Sequence, residues 1–156
     1  MLVLDVPGRG QIRLSHLVLD LNGTLAVDGR VPESVARRLR ALSERLHLHV
    51  VTADTFGTAA GLEGLGAQVH VLPPGDHVEA KAAFVRTLGA AATVAIGNGS
   101  NDALMLREAA LGVAVVGREG AAGAVIGAAE IVVTRIQDAL DLLLMPTRLI
   151  ATLRTR

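Results

Sequence analysis

The chain of 156 residues contains no cysteine, no tryptophan and no tyrosine, and it has only two phenylalanines. Without cysteine, it has no disulfide bonds and no thiolate metal site. Because aromatic side chains are nearly absent, the chain offers little surface on which nucleic-acid bases can stack. Basic and acidic residues are equal in number, at 15 each, so there is no basic excess to attract phosphate backbones. We therefore expect no nucleic-acid partner.

Long hydrophobic runs are also missing. No apolar stretch approaches the roughly 18 residues that a membrane-spanning helix needs. The first ten residues, MLVLDVPGRG, lack the basic region of a signal peptide and are interrupted at Pro7-Gly8. We expect no membrane partner and a cytoplasmic protein. With 51% hydrophobic residues, a chain of this length can bury the core of one domain.

Short apolar runs alternate with segments of helical periodicity along most of the chain. The turn sequence PGRG joins two apolar runs and predicts a β-hairpin over 2–14. Strands are predicted at 16–20, 46–52, 67–72, 93–96, 111–117 and 130–134. Helices are predicted after Pro32, at 55–66, 77–88 and 103–110, within 119–129, and from 135 onward with a break at Met145-Pro146.

This alternation favours a three-layer, Rossmann-like α/β domain with a mostly parallel sheet and helices on both faces. We expect a single domain, made of an N-terminal hairpin (1–15), a core (16–135) and a C-terminal helical segment (136–156). The spacing of Val35, Leu39 and Leu42 marks the buried side of the first helix. His47 and His49 alternate along a predicted strand, and we expect them to be structural.

Polar residues cluster where the predicted strands end. Asp20 and Thr52 each end a strand, and Asn98 follows a third. Lys81 lies near the start of the helix that precedes this third strand. Ligands of open α/β sheets bind at the carboxyl ends of the strands. The sequence therefore predicts that an acid, a hydroxyl, a cation and an amide share one site.

Four sequence motifs then indicate a family. DLNGTL at 20–25, Thr52, Lys81 and GNGSND at 97–102 resemble the four motifs of the haloacid dehalogenase (HAD) superfamily of aspartyl-phosphate enzymes, over about 16–135. The stretches VVTADTFGTA, LPPGD and NGSNDALML look most like the phosphorylation domain of P-type ATPases. Without a membrane segment, the chain resembles a soluble relative of that domain.

The resemblance implies roles for individual residues. It implies Asp20 as the nucleophile, and Asp102 either as holder of a metal-bound water or as an anchor for Lys81. The implied catalytic set is Asp20, Asn22, Thr52 and Lys81, and the implied substrate-binding set is Thr52, Ala53, Lys81 and Asn101. Mg²⁺ is the implied cofactor, with Asp20, the main-chain carbonyl of Asn22, Asn98 and Asp102 as the implied metal site.

Two asparagines depart from the HAD pattern. Asn22 stands where hydrolytic relatives carry an aspartate that acts as general acid and base, and Asn98 replaces a second aspartate. An amide cannot transfer the proton, and such help is typically worth ~10²–10⁴-fold. We expect a slow, Mg²⁺-dependent phosphatase. The alternative is an inactive or weakly active, phosphate-responsive binding or regulatory module.

The spacing of the motifs leaves no room for a lid domain. Thr52 follows Asp20 by 32 positions, and Lys81 follows Thr52 by 29. We therefore expect an open site. Its phosphorylated substrate, a small molecule or a macromolecule, would either be large enough to cover the site itself or be enclosed there by a neighbouring subunit. The unpaired edge of the N-terminal hairpin makes a homo-oligomer possible.

Overall fold

The structure is a computed structural model, and it describes residues 1–53 and 61–156. The strands of this part of the chain are β1 (Leu2–Val6), β2 (Gly10–Leu14), β3 (His16–Asp20), β4 (His47–Thr52), β5 (Ala67–Val71), β6 (Thr93–Gly97), β7 (Leu111–Val115) and β8 (Ile131–Val133). The α-helices are α1 (Glu33–Ser43), α2 (His77–Leu88), α3 (Ala103–Glu108), α4 (Gly123–Ala128), α5 (Ile136–Leu144) and α6 (Pro146–Leu153).

The main sheet has six strands in the order β5-β4-β3-β6-β7-β8, and each neighbouring pair is parallel. Strands β1 and β2 pair antiparallel in a separate two-stranded sheet, which is the predicted hairpin. The predicted fold class is therefore confirmed. The order places β3 between β4 and β6, in the middle of the sheet.

Both faces of the sheet are covered, because successive side chains of a strand point to opposite faces. Leu17 and Leu19 of β3 belong to a core cluster that also contains buried residues of the hairpin, α1, α5 and α6. Val18, which lies between them, belongs to a second cluster with Val85 of α2 and Met105 of α3. Residues 17–20 of β3 are buried between these two clusters, and this packing fixes the position of Asp20 at the end of the strand.

The helices end and begin where local chemistry predicts. The α2 helix starts after Asp76, whose carboxylate accepts hydrogen bonds from the backbone N–H groups of Val78 and Glu79. It ends before Gly89, which has a positive φ of 100°. The predicted break at Met145-Pro146 separates α5 from α6, with Pro146 as the first residue of α6.

One predicted helix differs from the structure. The glycine-interrupted helix expected over 55–66 falls partly on 54–60, which lie outside the described residues. In the remainder, the chain forms a short 3₁₀ helix at Glu63–Leu65, and Gly66 follows it with a φ of 80°. Three glycines in this stretch, at 61, 64 and 66, disfavour a continuous α-helix because glycine loses more backbone entropy there than other residues.

A row of histidines crosses one face of the sheet. His16 on β3 lies 3.2 Å from His49 on β4 (Nδ1 to Nε2), and the other ring nitrogen of His49 lies 3.3 Å from Nε2 of His70 on β5. The ring of His47 lies 5.3 Å from that of His16 between centroids, and Phe84 of α2 packs against His49 and His70. Each ring needs only one proton to form this row, so neutral imidazoles satisfy it.

We predict that this row makes the fold sensitive to acid. Burial lowers the pKa of His49 from 6.5 to about 4, and repulsion from His16, His70 and His47 adds to the effect. As the pH falls below 6.5, His49 becomes protonated in the unfolded chain, whereas in the folded chain it stays neutral until about pH 4. The free energy of unfolding should therefore fall across this window, by about 1–3 kcal/mol for this residue.

Urea unfolding followed by far-ultraviolet circular dichroism at pH 7 and pH 5 measures this loss. A His49→Gln variant should lose less stability than wild type between the two values, whereas His77→Gln, outside the row, should behave like wild type. Equal losses in wild type and His49→Gln would contradict the prediction.

Candidate active site

The candidate site lies at the point where the strand order reverses. From β3 the chain proceeds outward to β4 and β5, and then crosses back to β6 on the other side of β3. Such switch points open a crevice at the carboxyl ends of the strands. Asp20 is the last residue of β3, Thr52 is the last residue of β4, and Asn98 follows β6 directly. The strand ends therefore meet as predicted.

A cleft of about 360 Å³ occupies this position. Seven of the eight predicted site residues line it, and Asp102 does not. The lining residues are Asp20, Asn22, Thr52, Ala53, Lys81, Asn98, Gly99 and Asn101. The structure thus brings the four motifs together in one cleft, while their chemical roles stay predictions.

Lys81 is the centre of the charge arrangement. Its side chain is only 2% exposed, and its Nζ lies 2.8 Å from Oδ1 of Asp20 and 2.6 Å from Oδ1 of Asp102. Oδ1 of Asn101 accepts a third, longer hydrogen bond at 3.4 Å. Lys81 is the only lysine in the chain, since every other basic residue that counts toward the 15 is arginine. That uniqueness is a sequence signal for a special role.

Burial and charge oppose each other in this group. Burial raises the pKa of Asp20 to about 6, repulsion from Asp102 adds to the rise, and the nearby ammonium of Lys81 counteracts it. For Lys81, burial favours a lower pKa, but attraction to Asp20 and Asp102 outweighs it and the pKa is raised. Lys81 is therefore a cation at neutral pH, and Asp20 is predominantly a carboxylate, the form that a nucleophile needs.

Asp102 lies behind the cleft lining and binds both Lys81 and the backbone that follows β6. It is fully buried, and its Oδ2 accepts hydrogen bonds from the backbone N–H groups of Asn98 (3.0 Å) and Gly99 (2.9 Å). A Cβ atom on Gly97 would approach the Asp102 side chain to 2.6 Å, so only glycine allows this packing. With Oδ1 bound to Lys81, these contacts support the anchoring alternative, and a role toward a metal-bound water stays a prediction.

Thr24 is a site residue to which the sequence reasoning gave no role. It is buried, and its Oγ1 lies 3.3 Å from Oδ2 of Asp20 and 3.1 Å from Oδ1 of Asn98. A hydroxyl has one proton, so it donates to one of these oxygens at a time. The Thr24 hydroxyl therefore lies between the Asp20 and Asn98 side-chain oxygens, which belong to the predicted metal site. Its place in DLNGTL was the available signal.

The oxygen atoms of the cleft fit a hard divalent cation. Asn98 donates from Nδ2 to the carbonyl of Gly120 at 3.1 Å, which leaves Oδ1 directed toward Thr24. Together with the Asp20 carboxylate, this gives the oxygen donors that Mg²⁺ prefers. Among the described residues, no group of three His, Cys, Asp or Glu side chains converges on a metal position. Among the residues that line the cleft, a metal would therefore find the Asp20 carboxylate together with amide and main-chain oxygens.

Asn22 lies on a small flap formed by residues 21–31. Isolated backbone bridges join Asn22 to Ala26 and Val27 to Arg30, and Asn22 itself is exposed and lines the cleft. The start of the helix predicted over 55–66, which would follow Thr52 and Ala53 at the edge of the cleft, falls on 54–60 and lies outside the described residues.

Comparison with known sequences gives two archaeal relatives. No family model matches the chain. The chain is 56% identical over 61 residues to the uncharacterized protein MJ0073 of Methanocaldococcus jannaschii, a stretch that covers 39% of the chain and 66% of that protein. It is 49% identical over 39 residues to MJ0072 of the same organism, covering 25% of the chain and 89% of that protein.

Comparison with solved structures identifies the fold. The 3-deoxy-D-manno-octulosonate 8-phosphate phosphatase of Moraxella catarrhalis, in complex with magnesium, phosphate and KDO, matches with a TM-score of 0.71 and 18% identity over 90% of this chain and 94% of that one. The cobalt-bound deoxy-D-mannose-octulosonate 8-phosphate phosphatase of Haemophilus influenzae matches with a TM-score of 0.72 and 17% identity over 92% and 94%. A haloacid dehalogenase-like hydrolase of Bacteroides thetaiotaomicron matches with a TM-score of 0.64 and 13% identity over 84% and 100%.

Within the described residues, no helix is both long enough and apolar enough to span a membrane. The TM-scores and the coverage of more than four fifths of both chains show that this chain has the fold of these hydrolases. The chain therefore belongs to the same family as MJ0072 of Methanocaldococcus jannaschii, and its fold is that of the haloacid dehalogenase superfamily.

Proposed function

We propose that this protein is a Mg²⁺-dependent phosphohydrolase that passes a phosphoryl group through Asp20. The observation that carries the proposal is the buried Asp20–Lys81–Asp102 triad, which places a carboxylate 2.8 Å from the only lysine at the open end of the central strand. An ammonium paired with a nucleophilic carboxylate is the arrangement that brings an anionic phosphate to an anionic attacking group.

The proposed reaction has two steps. In the first, a carboxylate oxygen of Asp20 attacks phosphorus, the bond from phosphorus to the ester oxygen breaks, and the alcohol leaves with a proton from solvent. In the second, water attacks the acyl phosphate, which releases inorganic phosphate and restores Asp20. Lys81 neutralises the charge that accumulates on the phosphoryl oxygens, and Thr52 and Ala53 lie on the β4 side of the same cleft to contact them.

Three groups would hold the metal: the Asp20 carboxylate, the main-chain carbonyl of Asn22 and the side-chain oxygen of Asn98. A bound Mg²⁺ supplies positive charge that stabilises the transferring phosphoryl group. Removal of divalent ions by EDTA should therefore lower turnover to background, and added Mg²⁺ should restore it. Turnover unaffected by EDTA would contradict the metal dependence.

The reaction should be slow because Asn22 cannot exchange a proton with the leaving group or with the attacking water. We predict that Asn22→Asp raises turnover of p-nitrophenyl phosphate by about 10- to 100-fold, which is at or below the lower end of the ~10²–10⁴-fold that general acid–base catalysis contributes. The expected gain is larger in hydrolysis of the acyl phosphate, since p-nitrophenolate leaves without help. Single-turnover kinetics with wild type, Asn22→Asp and Asp20→Asn separate the two steps.

Asn101→Asp is a matched control for Asn22→Asp, because it adds the same charge to the lining of the same cleft at a position with no proposed proton transfer. It should give no comparable gain. If Asn22→Asp gives no gain and wild type is no faster than Asp20→Asn, the enzyme proposal fails.

The substrate that the cleft favours is a small phosphate monoester. The similar phosphatases act, by their names, on an eight-carbon sugar-acid phosphate, and a cleft of about 360 Å³ holds a molecule of that size class. The resemblance to P-type ATPases and the possible homo-oligomer stay predictions. Screening phosphorylated metabolites against wild type and Asp20→Asn tests the substrate class, and light scattering tests the oligomer.

A second candidate function is phosphate-responsive binding without turnover. The observation that favours it is the pair Asn22 and Asn98, which removes two carboxylates and makes the cleft less repulsive to anions. A binding module should gain thermal stability from inorganic phosphate plus Mg²⁺ while releasing no product from any phosphate ester. Measurable turnover that depends on Asp20 would exclude it.

A further inference from the structure

Glu119 lies against the candidate metal site, although it is far from the four motifs in sequence. Gly23 of the flap has a φ of 79°, and a Cβ atom placed on it would be 2.5 Å from both Oε2 of Glu119 and Nδ2 of Asn98. Because both atoms lie that close to one point, they are no more than about 5 Å apart. The absence of a side chain at Gly23 therefore leaves the space in which the Glu119 carboxylate comes within about 5 Å of the Asn98 amide.

The loop that carries Glu119 is fixed to the end of β6. Asn98 donates from Nδ2 to the carbonyl of Gly120 at 3.1 Å, and its own carbonyl accepts from the N–H of Ala122 at 2.9 Å. Gly120 also closes a turn onto Gly117 at 3.0 Å. The two hydrogen bonds of Asn98 thus position the backbone that follows Glu119, and the turn connects it to Gly117 ahead of Glu119.

The Glu119 carboxylate has no hydrogen bond or ion pair with any residue in 1–53 or 61–156. Its side chain is exposed, so solvent and ions reach it. An unpaired carboxylate within about 5 Å of the Asn98 side chain, whose oxygen is one of the predicted metal ligands, can balance the charge of a cation bound there.

We propose that Glu119 supplies the divalent cation site with the negative charge that Asn98 does not supply. This inference rests on the proposed function, because it concerns the same metal. It also explains why residue 98 is an amide: the Gly120 carbonyl needs a hydrogen-bond donor, and a carboxylate cannot donate. Asn98 thus fixes the loop and supplies a neutral oxygen to the cation, while Glu119 supplies the negative charge near it.

Binding of Mn²⁺, followed by the loss of its free-ion electron paramagnetic resonance signal, tests this proposal without any measurement of activity. Glu119→Gln should weaken Mn²⁺ binding by about 5- to 30-fold, as expected for loss of one partly screened charge near a divalent ion. Glu44→Gln, which removes an equally exposed carboxylate next to α1, should leave Mn²⁺ binding unchanged. Far-ultraviolet circular dichroism confirms that the variants are folded.

A charge-rescue variant separates a role in metal binding from a role in holding the loop. Asn98→Asp in the Glu119→Gln background should recover Mn²⁺ affinity, because it returns a carboxylate to the site. Equal affinity of wild type and Glu119→Gln, with both bound through Asp20, would overturn this inference and leave the proposed function intact. Failure of wild type to bind Mn²⁺ at all, or binding that Asp20→Asn does not weaken, would overturn both.

Discussion

Replacing Asp20 with asparagine is expected to lower phosphate ester turnover by at least about 10³-fold, because no other group can take its place as nucleophile. Asp20 is the one carboxylate that lines the cleft within the described residues. The other buried carboxylate, Asp102, has both oxygens bound to Lys81 and to backbone N–H groups. An amide at position 20 keeps the size of the side chain and loses only its charge and nucleophilicity.

The expected result is measured as release of inorganic phosphate from p-nitrophenyl phosphate under saturating Mg²⁺. Asp5→Asn is a suitable control, since Asp5 is an exposed carboxylate on β1 and should retain wild-type turnover. Activity of Asp20→Asn within a factor of about three of wild type would place the chemistry elsewhere, or would mean that the measured activity belongs to a contaminant.

Replacing Lys81 with methionine is expected to destabilise the fold by about 3–5 kcal/mol, the cost of leaving buried charge without its partner. Methionine fills a similar volume but leaves Asp20 and Asp102 facing each other around an apolar group. The loss should be visible as a lower urea midpoint by far-ultraviolet circular dichroism, since the chain has no tryptophan or tyrosine to serve as a fluorescent probe. Turnover should fall with it, because the phosphoryl group loses its cation.

Two comparisons make the Lys81 result specific. Arg86→Met changes a basic residue of the same helix whose ion pairs with Glu79 and Glu108 are exposed, and it should barely move the midpoint. Lys81→Met combined with Asp102→Asn should recover part of the lost stability, because Asp102→Asn removes one of the two buried carboxylates that are left without a cationic partner. A Lys81→Met protein as stable as wild type would contradict the charge balance described for the site.

Much of the site was predictable because parallel strands align their carboxyl ends. Asp20, Thr52 and Asn98 each end or follow a strand, so the alternation of elements alone brings them to one edge. The helix that carries Lys81 was also predictable to its boundaries, since Asp76 caps its start and Gly89 ends it. In these cases the local sequence carries all the information that the fold uses.

Other features depend on register and loop geometry, which the sequence pattern does not contain. The histidine row requires that His16, His49 and His70 lie diagonally across three strands, and this follows only from the way each strand is offset against the next. Glu119 comes within about 5 Å of Asn98 because Gly23, on a separate loop, has no side chain to fill the space between them. Contacts of this kind appear only when the tertiary structure is known.

The aspartyl-phosphate claim is tested most directly by beryllium fluoride, which mimics a phosphoryl group bound to a carboxylate. With Mg²⁺ present, wild type should bind it at Asp20 and melt at a higher temperature. At about 100 times the dissociation constant, the stabilisation is ~2.7 kcal/mol, or roughly 5–10 °C for a chain of this size. Asp20→Asn should show no shift. An unchanged melting temperature for wild type, or an equal rise in Asp20→Asn, would contradict phosphoryl transfer through Asp20.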